Sequence, residues 1–236
     1  EKYWDDISPF IKYGCLKDTK FCDKMNDYIL FKNLDDKYLT LPELLVKEEE
    51  KKEDADAASD VVDKDGNSVK AYKTLAEAVA AAEDGQTVRL LADVEQNAQL
   101  AIDKSITLDL NGKTIKNTAD IWGDNANAIL SITKGAKVTI TGNGTIDAKE
   151  NDCYAINMVK GDLTIENGTF YGNVSVVQVE EGTLSVKGGT FDLHQKWEGS
   201  SKYLFNCIDS EFTSGNAKVA ISGGTFVGFD PNVCPE

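Results

Sequence analysis

Several residue types are scarce in this chain, and each scarcity argues against a class of function. The 236 residues include one histidine, His194, and one arginine, Arg89. With one histidine and no zinc-like cysteine spacing, a Cys/His metal site is not expected. A Ser-His-Asp order, a phosphate-binding Gly-Lys-Ser/Thr sequence and a dinucleotide fingerprint are all missing, so no cofactor is expected either. The sequence therefore contains no recognisable set of catalytic residues.

Positive charge is also in short supply. Lys and Arg number 25 against 40 Asp and Glu, which gives a formal net charge of -15. Such a surface repels phosphate backbones and anionic lipid heads, which argues against nucleic acid and membranes as partners. No apolar run approaches the roughly 20 residues that span a bilayer. The start at Glu1 has neither an initiating Met nor the basic and apolar regions of a signal peptide, which predicts a piece of a longer protein.

Cysteine is sparse and odd in number. Five widely spread cysteines in a chain of this size predict thiols that pack as small residues rather than disulfide staples. They are Cys15, Cys22, Cys153, Cys207 and Cys234.

The sequence does contain a repeated motif. Alternating apolar and polar residues lead into a turn rich in Asn and Gly, followed by a short apolar end. The copies are Ile106–Ile115, Val138–Ile146, Leu163–Phe170, Leu184–Phe191 and Val219–Phe226. Leu163 and Ile165 are expected to point inward, and Thr164 and Glu166 outward, as on a strand with one buried face. A unit that recurs every few tens of residues predicts a solenoid.

Each copy turns at a position that Asn or Gly occupies. The proposed corners are Asn111, Asn143, Asn167, Gly188 and Gly223. Asn and Gly share mainly their tolerance of the left-handed backbone region, so a positive φ is expected at these corners.

Two further apolar segments accompany the repeats. A second strand precedes three of the copies, in 128–133, 155–160 and 175–180, and a third short apolar point follows each turn. Three sides per round predict a mainly β protein, a parallel β-helix. Residues 70–236 resemble the right-handed, pectate-lyase-like β-helices of bacterial surface and phage proteins. That resemblance implies the fold and its handedness, but no activity.

A cap of about residues 60–94 is expected at the head of the solenoid. Apolar pairs flank the turn 63–67, which predicts a hairpin, and a calcium loop is the alternative interpretation of that turn. Thr74 and Glu77 match a capping box, so a short helix is expected from there until Gly85. This helix would cover the apolar end of the first round, and a strand is expected at Val88–Leu91.

Residues 1–46 have a different character. Trp4, Ile7 and Ile11 fall at roughly helical spacing and extended sequence follows, so a small, mostly helical segment is expected. The stretches 4–18 and 28–42 closely resemble part of the middle domain of bacterial Hsp90 chaperones.

The resemblance to Hsp90 implies no ATPase role here, because that family's nucleotide pocket lies in an amino-terminal domain and its catalytic-loop arginine lies upstream of the match. The charged run that follows, 47–59, is expected to be an acidic linker to the β-helix of residues 60–236.

Uneven spacing of the repeats indicates two inserts, which is where function concentrates in repeat proteins. They span 116–127 and 192–203. Flat amphipathic side chains and charges near these inserts suit a sugar or a protein surface, although aromatic packing over the outside of the rounds is an equal alternative. The candidate ligand-binding residues are Trp122, Asp124, Tyr171, His194, Trp197 and Glu198.

These observations favour a noncatalytic β-helix module for carbohydrate or protein interaction, joined to an Hsp90-like remnant. Asp147, Asp152 and Asp192 follow repeats at comparable positions and are interpreted as solvated turn carboxylates. The alternatives are a chaperone fragment with an accessory β-helix, and a polysaccharide-processing enzyme. The β-helix predicts an extracellular, cell-surface or phage location, and the Hsp90-like part a cytoplasmic one.

Overall fold

The structure is a computed structural model that describes residues 56–118, 127–148, 154–195 and 203–230, and the backbone of two short strands before them. The chain divides into two compact units, Glu1–Ala55 and Asp56–Glu236. Several sequence predictions lie outside the described residues. These concern Trp122, Asp124, Trp197, Glu198, the helical part of 1–46 and the linker as far as residue 55.

In the first unit the two described strands form an antiparallel pair. Strand β1, Leu30–Lys32, pairs with β2, Tyr38–Thr40, and Leu30 lies opposite Thr40. This pair matches the extended character expected toward the end of 1–46.

The second unit is mainly β, and its described strands form three sheets. The first sheet contains β3 Ser59–Val62, β4 Ser68–Tyr72, β5 Thr87–Leu90, β8 Thr107–Asp109, β11 Ala136–Thr141, β14 Gly161–Ile165, β17 Gly182–Val186 and β20 Ala217–Ile221. The second sheet contains β6 Val94–Gln96, β9 Thr114–Asn117, β12 Thr145–Asp147, β15 Thr169–Gly172, β18 Thr190–Leu193 and β21 Thr225–Phe226. The third sheet contains β7 Leu100–Ile102, β10 Ala128–Ile132, β13 Tyr154–Met158, β16 Val177–Val179 and β19 Phe205–Cys207.

Successive strands visit the three sheets in a fixed order. From β5 onward the chain passes through the first, second and third sheets in turn and then returns to the first. We call three consecutive strands, one in each sheet, a round. Every described pairing between rounds is parallel; Leu163 pairs with Leu184, for example, and Phe170 with Phe191. The three strand segments predicted for each repeat are confirmed.

Inward side chains from the three sheets pack into one core along the stack. Leu163 and Ile165 are fully buried, whereas Thr164 is half-buried and Glu166 is exposed. The predicted alternation of the repeat strand is therefore confirmed.

Aromatic rings fill the core of the last rounds. Phe170 stacks on Phe191 at a centroid distance of 5.2 Å, and Phe191 stacks on Phe226 at 5.5 Å. Phe205 from the third sheet meets Phe191 edge-on at 5.1 Å. Such pairs add about 0.5–1.5 kcal/mol beyond the burial of their area, so this column fixes the register of the second sheet.

An antiparallel hairpin closes the first edge of the first sheet. β3 pairs with β5 on one side and with β4 on the other, which confirms the predicted hairpin. In its turn the Asp63 carboxylate accepts hydrogen bonds from the backbone N–H groups of Asn67 and Asp65, each at 2.9 Å. These bonds, chiefly the one from Asn67, lower the pKa of Asp63. The carboxylate thus shapes the turn.

The single arginine holds this edge together. Arg89 on β5 donates to the Asp60 carboxylate on β3 through Nε at 3.1 Å and through a terminal nitrogen at 2.6 Å. The Asp60 side chain is buried, and its hydrogen bond raises the pKa of Arg89. A bidentate pair of this kind keeps the carboxylate satisfied away from water.

The second unit begins earlier than the sequence predicts. Ala57 is buried, and the Ala58 N–H donates to the Tyr72 carbonyl at 2.9 Å. Residues 57–59 therefore belong to the folded edge of the first sheet and not to the predicted linker 47–59, because Ala57 is buried and the backbone of Ala58 and Ser59 pairs with β4.

Helix α1, Leu75–Ala81, packs beside the hairpin. The Thr74 hydroxyl accepts the Glu77 N–H at 3.2 Å and the Glu77 carboxylate accepts the Thr74 N–H at 3.0 Å, so the predicted capping box is confirmed. The helix ends at Ala81, short of the predicted end near Gly85. The Lys104 ammonium group donates to the carbonyls of Ala80 and Ala82 there, which satisfies the helix end.

The five proposed corner residues all lie in turns between the first and second sheets. Of the five, Asn111 has a positive φ, 45°, as expected. The expectation is wrong for Asn143, Asn167, Gly188 and Gly223. In the last three rounds the positive φ falls on the next residue, a glycine. These residues are Gly168 at 117°, Gly189 at 101° and Gly224 at 122°.

Side-chain hydrogen bonds explain the Asn corners. Asn167 Nδ2 donates to Asn143 Oδ1 at 2.5 Å, which links two neighbouring rounds. Asn167 Oδ1 accepts the Gly168 N–H at 2.8 Å. At this corner Asn167 contributes its amide group, while Gly168 takes the backbone conformation that other residues avoid.

After β19 the described chain ends with helix α2, Asp209–Ser214, and the edge strands β20 and β21. Helix α2 ends in a left-handed Gly215, with φ 78°. Phe212 on this helix is 58% exposed.

Candidate functional site

The outward-facing residues of the second sheet form a column of mixed charge with one aromatic ring. Register pairs these residues strand by strand in the order Glu95, Lys116, Asp147, Tyr171 and Asp192. Adjacent strands lie about 4.8 Å apart, so neighbouring side chains of the column can interact directly. We call this set the outward column.

His194 joins the outward column from beyond the end of β18. Its backbone N–H donates to the Gly172 carbonyl at 2.9 Å, which holds it beside β15. Its imidazole stacks on the Tyr171 ring at a centroid distance of 5.2 Å and an interplanar angle of 19°. The Nε2 atom lies 2.6 Å from Asp147 Oδ1. One side chain therefore bridges three neighbouring strands.

The cluster of Asp147, Tyr171 and His194 is partly enclosed. The side chains of His194 and Asp147 are 39% and 19% exposed, and Tyr171 is half-buried. Partial burial strengthens the hydrogen bond between the imidazole and the carboxylate relative to one in open water. The remaining exposed ring area can contact a ligand that lies on the sheet.

A separate ion pair occupies the other end of the outward column. Lys116 Nζ lies 2.6 Å from Glu95 Oε1. This hydrogen bond, followed by the charge of Glu95, raises the pKa of Lys116, and Asp147 adds a smaller effect in the same direction. The lysine is therefore charged and already paired within the column.

A column of hydroxyl groups runs beside the outward column. Five threonines occupy the same register position, two residues before it, and all are at least partly exposed. They are Thr114, Thr145, Thr169, Thr190 and Thr225. A threonine hydroxyl can both donate and accept a hydrogen bond, as a sugar hydroxyl can.

The outward residues on the three middle strands of the third sheet are buried. Ser131, Asn157 and Gln178 are only 1%, 3% and 7% exposed, whereas Ala101 and Asn206, on the two end strands, are more open. Asn157 Nδ2 donates to Asn127 Oδ1 at 3.1 Å and to Glu180 Oε1 at 2.9 Å. These polar groups are used within the protein, whereas the second sheet presents a half-buried aromatic ring beside charged residues and hydroxyl groups.

Two of the six candidate ligand-binding residues, Tyr171 and His194, are described, and the structure brings them into contact. Asp147 is the residue that sequence reasoning misses. The sequence suggests a solvated turn carboxylate there, but Asp147 lies on β12 and its side chain is four-fifths buried against His194. A sequence pattern could have identified Asp147 as a residue of the outward column. Each of four column residues stands two residues after a repeat threonine: Lys116, Asp147, Tyr171 and Asp192.

Within the described residues, no group of three or more His, Cys, Asp and Glu side chains is arranged to hold a metal ion. The same residues contain no helix with the length and apolar character of a membrane span. Comparisons of the chain with protein-family models, curated proteins and solved structures found no match.

Proposed function

We propose that residues 56–230 form a right-handed parallel β-helix that binds a glycan, without catalysis, on the outward face of its second sheet. The cyclic passage through three sheets and the parallel register between rounds support the β-helix. The location that fits such a module is extracellular, at a cell surface or on a phage particle.

The observation that carries this proposal is the stacked pair of Tyr171 and His194 beside Asp147. Glycan sites combine a flat ring, which packs on the apolar face of a sugar, with a few polar groups that fix its orientation. The carboxylates of the outward column and the threonine hydroxyls supply those polar groups. A protein surface rich in hydroxyl groups is the alternative ligand for the same chemistry.

Retention on immobilised polysaccharides tests the proposal. The wild type should be retarded on at least one of cellulose, chitin and chitosan, and Tyr171→Ala should lose about 1 kcal/mol or more of binding, about fivefold in affinity. Tyr72→Ala is the matched control, because Tyr72 lies on β4, away from the second sheet. Equal retention of the two variants, or no retention of the wild type on any of the three, would contradict the proposal.

Glycan hydrolysis is the second candidate function. Asp147 and Asp192 lie at the same register two strands apart, so their backbones are about 10 Å apart. Inverting glycosidases use two carboxyl groups separated by about 6.5–9.5 Å. Release of reducing ends from the retained polysaccharide, and its loss in Asp192→Asn, would replace the binding proposal with this one.

We propose no catalytic role for residues 1–46. Their resemblance to part of an Hsp90 middle domain carries neither a nucleotide pocket nor a catalytic arginine with it. A chaperone fragment with an accessory β-helix would be favoured over a glycan-binding module if titration with Mg-ATP gave saturable heat.

A further inference from the structure

We propose that Asp147 is a positioning residue of this site, which holds the His194 imidazole in one tautomer so that its Nδ1 atom accepts a hydrogen bond from the glycan. This inference rests on the proposed glycan-binding function and adds to it the kind of group that the glycan presents there, a hydroxyl or an amide N–H. It concerns a single ring, because His194 is the one histidine of the chain.

The contact with Asp147 determines which imidazole nitrogen carries the proton. The Nε2 atom of His194 lies 2.6 Å from Asp147 Oδ1, within hydrogen-bond distance. An ionised carboxylate accepts hydrogen bonds and donates none, so the proton of this bond belongs to Nε2. In a neutral imidazole the second nitrogen, Nδ1, then has a lone pair and acts as an acceptor.

The lysine next to Asp147 does not compete for this carboxylate. Lys116 is the register neighbour of Asp147 on β9, but its ammonium group lies 2.6 Å from Glu95 Oε1. The side chain of Asp147 is also mostly buried, so water competes little for it. The carboxylate of Asp147 is therefore available to His194.

Two further contacts hold the imidazole in place. Its face stacks on the Tyr171 ring at a centroid distance of 5.2 Å, and the backbone N–H of His194 donates to the Gly172 carbonyl at 2.9 Å. Within the described ranges of the chain, no hydrogen bond engages Nδ1. Since 39% of the His194 side chain remains exposed, a ligand on the second sheet can reach the ring.

A sugar supplies the matching donor. Each sugar hydroxyl can donate a hydrogen bond, and so can the amide N–H of an N-acetylated sugar. A few fixed polar groups of this kind orient a ligand that packs on an aromatic ring. Asp147 therefore acts on the glycan through His194, by fixing both the orientation of the imidazole and the polarity of its free nitrogen.

Labelling with 15N-histidine reports on this ring alone. At about pH 8, where an ordinary imidazole is neutral, the wild type should show the Nε2–H tautomer, with one protonated and one unprotonated ring nitrogen. Asp147→Ala removes the acceptor, so the two ring signals should move toward each other as the tautomers exchange. Asp65→Ala, at an exposed position in the β3–β4 turn, is the control of equal charge and size change and should leave the spectrum unchanged.

Binding is measured with the glucose hexamer from cellulose and the N-acetylglucosamine hexamer from chitin. Asp147→Ala should weaken the binding of whichever hexamer the wild type binds by about fivefold, the contribution of one hydrogen bond. Asp147→Asn retains an oxygen that accepts the Nε2 proton, so it should restore the tautomer and an affinity within about twofold of the wild type. Thermal melts of each variant identify any loss that comes from unfolding.

The outcomes separate this inference from the proposed function. An unchanged tautomer in Asp147→Ala, or equal losses of affinity in folded Asp147→Ala and Asp147→Asn, would overturn the positioning role while glycan binding stands. Binding of neither hexamer, nor of any other polysaccharide, by the wild type would overturn the proposed function, and the acceptor role of Nδ1 with it.

Discussion

The corner between the first and second sheets differs from the corner between the second and third sheets. At the first corner every connection holds three or four residues, 91–93, 110–113, 142–144, 166–168, 187–189 and 222–224. At the second corner the connections range from three residues, 97–99, to eleven, 194–204. Through the described rounds the length of the first corner varies by one residue, whereas that of the second corner varies by eight.

The difference in connection length indicates that the two corners have different roles. A turn of constant length keeps the strands on either side in register, because a slip of one residue would move inward side chains to the outside. The second corner is free to vary, and the residues that come together beside it, Tyr171 and His194, have no counterpart in the other described rounds. We therefore connect the first corner with stability and the second with the proposed glycan binding.

The largest effect is expected for the aromatic column that follows the first corner. Phe191→Ala should lower the free energy of unfolding by about 3–5 kcal/mol, because the ring is fully buried between two others. Phe226→Ala, at the partly exposed edge of the same column, should cost clearly less. Chemical denaturation of both variants measures the two values, and equal losses would mean that the column does not fix the stack.

A smaller effect is expected at the turn itself. Gly189→Val should destabilise by about 2 kcal/mol, because a side chain at φ 101° is strained and its Cβ would lie 3.0 Å from the Gly168 carbonyl oxygen. Ser185→Val on the outward side of β17 is the control, since valine suits a strand. Similar melting temperatures for the two variants would show that this turn does not require a glycine at position 189.

The smallest effect is expected at the third corner, between the third and first sheets. Lys134 Nζ lies 2.7 Å from Asp103 Oδ2, and this hydrogen bond, followed by the lysine charge, lowers the pKa of Asp103. Both side chains are exposed, so Lys134→Gln should cost less than about 1 kcal/mol at neutral pH.

The pH dependence of that pair has a definite sign. A carboxyl group whose pKa is lowered by folding stabilises above its unfolded value, about 3.9, and loses the effect as the pH falls through the folded value. The melting temperatures of the wild type and Lys134→Gln should therefore converge in acid. A difference that grows below about pH 4 would contradict this assignment.

Much of the fold follows from local sequence pattern. The alternation in Leu163–Ile165 and the recurring turn before each threonine predict the strands, their register and the shared core. Side chains of a strand alternate between its two faces, so only one register places all the apolar side chains of a strand in the core. The capping box of Thr74 and Glu77 is equally local. The sequence pattern places the positive φ of the late corners one residue away from its true position. It assigns Asn and Gly the same backbone role, whereas Asn167 uses its amide group to bind Asn143 and Gly168.

The candidate site depends on distances that the sequence does not contain. Asp147 and His194 are 47 residues apart, and they meet because β12, β15 and β18 are neighbours in register and His194 reaches across Tyr171. The buried outward face of the third sheet is also absent from the prediction. Its near-continuous apolar strands, such as Ala128–Ile132, carry the signal of a strand covered on both faces.

Two insertions, one on either side of β18, test most directly whether the first corner serves stability and the second serves binding. Gly-Ser-Gly after Leu193 lengthens the eleven-residue connection at a cost of about 0.2 kcal/mol, and it moves His194 away from Tyr171. The same insertion after Gly188 doubles the length of the three-residue turn 187–189. Retention on the polysaccharide that holds the wild type is measured at a temperature at which both variants are folded, together with their melting temperatures.

The variant with the insertion after Leu193 should lose retention while its melting temperature stays within about 1 °C of the wild type. The variant with the insertion after Gly188 should melt several degrees lower and still be retained. Undiminished retention of the first variant, or a loss of retention confined to the second, would contradict the claim that binding belongs to the second corner.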